Sequence, residues 1–318
     1  MTKTTYNIIE LLKKHDWISG ENIAKNLQIS RTAVWKHIQQ LKKKGYKITA
    51  KPNHGYHLEK TPDSITTEEL TQCLHTQLIG RKIHHFSSLP STNDYAKTLA
   101  KNGESEGTIV IADEQTNGRG RKQRLWISPK NGLWFSIILR PALPPSKAMN
   151  ATMCAACALA ETISTHTSLQ ASIKWPNDIL IENKKVCGIL TELSAEIDEI
   201  KYLIVGIGLN VNNTLPKELQ KISTSLKKET KKSVETLPLL ASLLESFERF
   251  YVSLKNGNMD LLRKTWLTYS STIGSTVKVN TGKDMITGTA VDLGENGELI
   301  VQTTKGKKEI ITGDISYL

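Results

Sequence analysis

Across the first sixty residues, apolar positions recur at the period of amphipathic helices. Ile8, Leu11 and Leu12 share a face of residues 4–14, and Ile23, Ala24 and Leu27 share a face of the segment GENIAKNL, which Ser19 precedes as an N-cap. The turn QIS ends at Ser30, a second N-cap, and opens RTAVWKHIQQLKKKG. There Val34, Ile38 and Leu41 point to one core and Gly45 supplies the stop. The following stretch, YKITAKPNHGYHL, reads as a β-hairpin whose tip, Lys51 to Gly55, has turn chemistry. Two short helices at this spacing followed by a hairpin predict a winged helix-turn-helix.

Beyond Pro62, which marks a boundary, the pattern changes. From about residue 63 to about 270, strand-like and helix-like segments alternate. From about 271 to 318 the chain reads as short strands between glycine turns: STVKVN, MITGTAVDL, GELIVQT and KKEIITG. The expected organisation is an α+β multidomain protein divided into residues 1–62, 63–270 and 271–318. A length of 318 residues suits two or three domains, and 38% hydrophobic with 23% charged residues describes a folded chain rather than a disordered one. No apolar run is long enough to span a membrane, and the N-terminus lacks the order of a signal peptide. The expectation is therefore a cytoplasmic protein with no membrane partner, its cysteines (Cys73, Cys154, Cys157, Cys187) being reduced thiols.

Charge sharpens the reading of the first segment. The net charge is +11, yet residues 1–60 hold twelve Lys/Arg against four Asp/Glu, while the rest of the chain is nearly balanced. A local polyanion partner follows. The start of a recognition helix enters the major groove, and Ser30, Arg31, Thr32, Trp35 and Lys36 occupy that end here. Lys42, Lys43 and Lys44 suit phosphates, and Lys51 and His54 stand on the wing. Trp35 could instead pack against its own domain, and the basic helix could instead be a solvated face of a protein-interaction module.

Four pieces of the central region carry candidate chemistry. Thr108–Trp126, TIVIADEQTNGRGRKQRLW, begins as a buried strand and runs into a loop with Gly118, Gly120 and arginines at 119, 121 and 124. Glycines admit close backbone approach, and guanidinium forks converge on an anion. The spacing fits neither the P-loop nor the dinucleotide-binding fingerprint. In KWPNDILIENKKVCGIL, Asp178 ends a Pro-containing turn and Lys185 opens the returning strand of a hairpin. That lysine could neutralise developing phosphoryl charge or be no more than a solvated turn. LIVGIGLN, ending at Asn210, has two glycines that leave room for a ligand against the strand. Ser91, Thr92 and Asn93 read first as a helix N-cap, and secondly as polar groups for a ligand head.

These pieces, in this order, resemble the bifunctional biotin–protein ligase and biotin-operon repressor family, over almost the whole chain. The resemblance implies a winged helix-turn-helix DNA-binding domain, a central mixed sheet with helices similar to class II aminoacyl-tRNA synthetases, and a C-terminal SH3-like β-barrel. It implies that Ser91, Thr92, Asn93 and Gln115 contact biotin, and that Gly118, Arg119, Gly120 and Arg121 form the biotin- and adenylate-binding loop, with Arg121 guarding the intermediate. Trp126 would cover the ligand, Asp178 and Lys185 would flank the reacting carboxylate, and Gly188 and Asn210 would line the site. Lys185, Arg121 and Asp178 are the implied catalytic set. Asn117 and Gln123 depart from the family's usual loop. The implied reaction uses ATP with Mg²⁺ and biotin, passes through biotinyl-5′-AMP, and ends on a lysine of a biotin carboxyl carrier domain. The adenylate would also be the corepressor, favouring a homodimer on operator DNA.

Other features are set aside. Cys154 and Cys157 fall on one face of a small-residue helix with no second ligand pair nearby, and His84 and His85 lie on a strand. Residues 227–232 read as a solvated segment. Two competing functions remain: a lipoate ligase, which shares the adenylate chemistry, and a transcription factor whose ligase domain only senses its ligand.

Overall fold

Each of the first three helices begins at a hydroxyl that accepts a backbone N–H three residues on. Thr2 caps Lys3–Lys14 (α1), Ser19 caps Gly20–Leu27 (α2) and Ser30 caps Arg31–Lys43 (α3). The structure is a computed structural model that describes residues 2–61 and 65–318. Pro62, expected at the first boundary, lies outside the described residues. The chain forms two compact units, Met1–Cys73 and Leu74–Leu318.

In the first unit, Ile8, Leu12, Ile23, Val34, Ile38 and Leu41 meet in one core with Ile48 of the strand Lys47–Lys51 (β1). Each such side chain contributes about 1.5–3 kcal/mol on burial. The strand pairs antiparallel with Gly55–Lys60 (β2), which makes the expected hairpin. Ile18 adds a short third rung by exchanging two backbone hydrogen bonds with Tyr56. Gly55 has φ +99°, and a Cβ there would lie 2.1 Å from the Ile18 carbonyl oxygen, so the wing can close only on glycine. The helix Thr67–Cys73 (α4) completes this unit.

The second unit opens with Ile83–Phe86 (β3), Thr92–Lys101 (α5), Ile109–Ala112 (β4) and Leu133–Leu139 (β5). It continues with Ala148–Thr167 (α6), Ala171–Lys174 (β6), Asp178–Ile181 (β7), Lys184–Ala195 (β8) and Ile200–Leu209 (β9). The seven strands form one mixed sheet in the order β3-β4-β5-β9-β8-β7-β6, parallel only between β3 and β4. Side chains alternate across it. Tyr202 and Ile204 of β9 pack with Ala96 and Ala100 of α5. Thr191, on the other face, meets Thr152 of α6 at 2.7 Å. Cys154 and Cys157 are buried within α6. Leu226–Thr230 (α7), Thr236–Lys255 (α8) and Asp260–Tyr269 (α9) follow.

The last part is Thr276–Asn280 (β10), Met285–Leu293 (β11), Leu299–Thr303 (β12), Gly306–Ile310 (β13) and Asp314–Tyr317 (β14). These pair antiparallel in the order β13-β12-β11-β10-β14. The four runs legible in the sequence are β10 to β13. The fifth strand, DISY, is too short to signal itself, yet it adds beside β10 and carries Asp314. No described helix is long and apolar enough to cross a membrane.

Candidate functional site: a cationic cavity on a glycine floor

Central strands β8 and β9 place three glycines on one face: Gly188 lies opposite Gly208, and Leu190 opposite Gly206. A Cβ at Gly208 would fall 2.3 Å from Trp126 Nε1, and one at Gly206 would fall 2.0 Å from Asn93 Oδ1. Glycine therefore flattens the sheet so that the indole and the amide can lie on it. Above this floor opens a cavity of about 290 Å³. It is the size of a small-molecule site.

One wall is polar and tightly cross-linked. Ser91, Thr92 and Asn93 are almost fully buried, and Ser91 caps α5, as the first of the two readings of that segment expected. Thr92 donates from its N–H and its hydroxyl to Gln115 Oε1 at 2.9 and 3.1 Å, and Gln115 Nε2 donates to Ser128 Oγ at 2.8 Å. Ser136 Oγ lies 2.8 Å from Thr92 Oγ1 and 2.6 Å from Asn93 Oδ1. Asn93 Nδ2 donates to Glu192 at 2.7 Å. The rotamers of this wall are fixed before any ligand arrives.

The glycine-rich loop folds back on itself. Trp126 N–H donates to the Gly118 carbonyl at 2.9 Å, and Gly120 N–H to the Arg124 carbonyl at 2.7 Å. Lys122 and Gln123, at φ 54° and 59°, hold left-handed backbone without being glycine, which stores strain at the loop's tip. Its cations are tied down in two groups, Arg119 at Asp94 and the other three around Asp314. Arg119 pairs with Asp94 and lies 3.8 Å from Glu192. Arg121 donates to Asn177 Oδ1 at 3.1 Å and to Thr312 Oγ1 at 3.0 Å. Lys122 and Arg124 both reach Asp314 Oδ2, at 3.1 and 2.6 Å. Burial pushes the Arg121 guanidinium below its ordinary pKa, against the pull of Asp314 and Asp178. Burial pushes the Asp314 carboxyl up, but hydrogen bonds from Lys122 and Arg124 outweigh it and hold the group below its ordinary range.

Opposite the loop, Lys185 Nζ stands 2.6 Å from Asp178 Oδ1 at an angle unsuited to a hydrogen bond, and 5.0 Å from the Trp126 ring centroid. The indole N–H is buried with no partner. The hairpin β7–β8 thus delivers an ammonium, a carboxylate and Gly188 to one spot. Every expected ligand residue except Gly118 lines the cavity, Asn210 included. Gly118 sits just behind it, where a Cβ would lie 2.5 Å from the Trp126 carbonyl oxygen.

Several lining residues gave no sequence signal. Leu215, Leu219 and Ile222 form an apolar wall from an irregular segment after β9, where no periodicity marks them. Asn177 and Asp314 join through pairings far apart in the chain. Gly206 and Gly208 were legible only as room beside a strand. His85 pairs with Asp113 at 2.8 Å, and among the described residues no cluster of three metal-ligating side chains occurs.

In the first unit, Val34, Ile38 and Leu41 face the core while Ser30, Arg31, Thr32, Trp35 and Lys36 are all exposed. Trp35 keeps 54% of its surface exposed. Lys51 and His54 are exposed on the wing, and His54 meets Trp17 edge-on at 5.8 Å. Thr5 Oγ1 and His37 Nδ1, 2.9 Å apart, fasten α1 to α3.

Family profiles match all three regions: "HTH domain" over residues 4–57, "Biotin/lipoate A/B protein ligase family" over 85–210, and "Biotin protein ligase C terminal domain" over 272–318. By class, this is a helix-turn-helix unit carried on the same chain as a ligase-type mixed sheet. The Bifunctional ligase/repressor BirA of Bacillus subtilis is 39% identical over 315 residues, covering 97% of each chain. Its namesake in Escherichia coli is 29% identical, over 97% of this chain and 95% of that one. Among solved structures, the biotin protein ligase from Aquifex aeolicus in complex with biotin and ATP aligns with a TM-score of 0.65 at 31% identity, over 75% of this chain and 99% of that one. The chain belongs to the bifunctional ligase/repressor BirA family.

Proposed function

We propose that this chain is an ATP-dependent biotin–[biotin carboxyl-carrier protein] ligase and a biotin-responsive transcriptional repressor. The observation that carries the ligase half is one cavity whose lining divides into the cations Arg119, Arg121 and Lys185 and a set of fixed amides, hydroxyls and leucines. A substrate with an apolar body, a polar ring and a carboxylate matches that division. Family membership over 97% of the chain supports both halves.

In the first step a biotin carboxylate oxygen attacks the α-phosphorus of ATP. The bond to pyrophosphate breaks, and biotinyl-5′-AMP forms. Two anions must be brought together, so charge neutralisation is the main requirement. Arg119, Arg121 and Lys185 supply it, and Asp178 keeps the Lys185 ammonium beside the reacting carboxylate. Ser91, Thr92, Asn93 and Gln115 orient the biotin head, while Gly188, Asn210 and Trp126 enclose the adenylate on the floor that Gly118 and Gly120 let the loop approach. In the second step a carrier-domain lysine attacks the carbonyl, AMP departs with the bonding electrons, and the amine loses a proton. Positioning carries this step, because the mixed anhydride is already activated. Asp178 and Asp314, the two carboxylates lining the cavity, are the residues that would hold magnesium brought in with ATP. That ion would withdraw charge from the phosphates.

The repressor half assigns Ser30, Arg31, Thr32, Trp35 and Lys36, with Lys51 and His54 of the wing, to operator DNA, and a homodimer of adenylate-loaded chains to the two half-sites. The division of labour is residues 1–62 for DNA, 63–270 for catalysis and 271–318 for the small β-domain. ATP supply and four unpaired thiols suit the cytoplasm.

Biotin-dependent ATP–pyrophosphate exchange, with lipoate in parallel, tests the ligase. Exchange with biotin alone is the expected result. Exchange with lipoate alone would transfer the assignment to the second substrate of the matched family. Exchange with neither would leave a ligand sensor.

A further inference from the structure

Among the described residues of the first unit, Trp35 is the one large apolar side chain left exposed. It sits in the most basic part of the chain, one turn after Arg31 and beside Lys36. Its own unit leaves 54% of it open to solvent, since the inward positions of α3 are taken by Val34, Ile38 and Leu41. Solvating an indole costs free energy that burial would recover. The charge around it selects a polyanion as the surface that buries it.

The chemistry of the indole narrows the choice. It is flat and apolar, with one N–H donor and no acceptor, so it cannot make the paired contacts by which arginine reads guanine or asparagine reads adenine. The one apolar group on a major-groove base edge is the C5 methyl of thymine. Resting on the repressor reading above, we propose that Trp35 is a specificity-determining residue that reads a thymine methyl in the operator. Arg31 lies four residues earlier on the same exposed face, a rise of about 6 Å. That distance is about two base-pair steps, so the thymine lies within about two steps of any base that Arg31 contacts.

The test uses the full chain loaded with biotin and ATP. A duplex is first selected from a random pool, and each of its thymines is then replaced singly by uracil, which removes the methyl and nothing else. Dissociation constants are measured at one salt concentration for wild type, Trp35→Ala and Trp35→Phe. The expected result is a loss of about tenfold for wild type at one thymine per half-site. Trp35→Ala binds the thymine and uracil duplexes alike, and Trp35→Phe retains part of the discrimination. Equal sensitivity to uracil in wild type and Trp35→Ala would overturn the assignment, as would a selected site with no methyl-sensitive position. If no duplex is enriched, the repressor reading itself fails and takes this proposal with it. Circular dichroism melting of the variants separates either result from misfolding.

Discussion

Lys185 and Gly208 show what single residues do here. The Lys185 ammonium is placed by Asp178 and by the Trp126 face, and its proposed task is to offset charge as carboxylate and triphosphate meet. Lys185→Ala is expected to lower the exchange rate about 10²- to 10³-fold with little change in melting temperature, because the side chain stands at a cavity rim. Exchange at the wild-type rate would remove Lys185 from the mechanism. Gly208 acts by what it lacks. In Gly208→Ala the new methyl meets Trp126 Nε1 at 2.3 Å, so the indole must leave its place on the floor. An overpacking cost of about 1–3 kcal/mol follows, with biotin affinity, read by calorimetry, falling about tenfold. Unaltered biotin binding would show that the floor is not part of the site. The two residues also differ in legibility. Lys185 lies in a hairpin that the sequence declares, with turn residues between two apolar runs. Gly208 was readable only as vacant space, since nothing near it in sequence reveals that Trp126 will fill that space.

At the scale of elements, the glycine-rich loop and β14 are the pair to consider. The loop's arginines and glycines were plain in the sequence, as were the strands on either side. Its anchoring was not. Asp314 sits about 190 residues away, in a strand of only four residues, too short for its alternation to stand out, and long-range ion pairs leave no local trace. In the structure Asp314 gathers Lys122 and Arg124 and stands 3.9 Å from Arg121. Each partly exposed pair is worth little alone. Removing all of them with Asp314→Asn is expected to speed tryptic cleavage within residues 119–124 of the ligand-free protein about two- to fivefold. The folded pKa of Asp314 is depressed, so its contribution is complete above the ordinary Asp value of about 3.9. It is lost only as pH falls through the lower, folded value. Wild type and variant should therefore differ by a constant amount from pH 8 down to about 5, measured as stability against urea. A difference that fades within that range would mean that another group governs the loop. The same reasoning explains why the apolar wall of Leu215, Leu219 and Ile222 was missed: side chains on irregular backbone have no period to betray their direction.

At the scale of the molecule, one chain carries a basic helix-turn-helix in the unit Met1–Cys73 and a ligand cavity in the unit Leu74–Leu318. Two sites make regulation possible but do not create it; a coupling free energy must exist between them, and it must be reciprocal. If biotin plus ATP tightens binding to a selected duplex by some factor, typically about 5- to 150-fold, that duplex must tighten adenylate binding by the same factor. Anisotropy of a labelled duplex and adenylate dissociation, both read at fixed salt, test the equality. The form of the coupling is open to the same titration. Each phosphate neutralised contributes about −0.9 to the slope of log K against log salt concentration. If loading only reshapes one chain, the same winged helix contacts the same phosphates and the slope stays put while the intercept moves. If loading pairs two chains, two winged helices reach two half-sites and the slope is expected to double. Titrations of loaded and unloaded protein across a range of salt therefore separate the two forms. An unchanged slope with raised affinity would exclude the proposed ligand-driven dimer, and affinity indifferent to biotin and ATP would exclude coupling of either form.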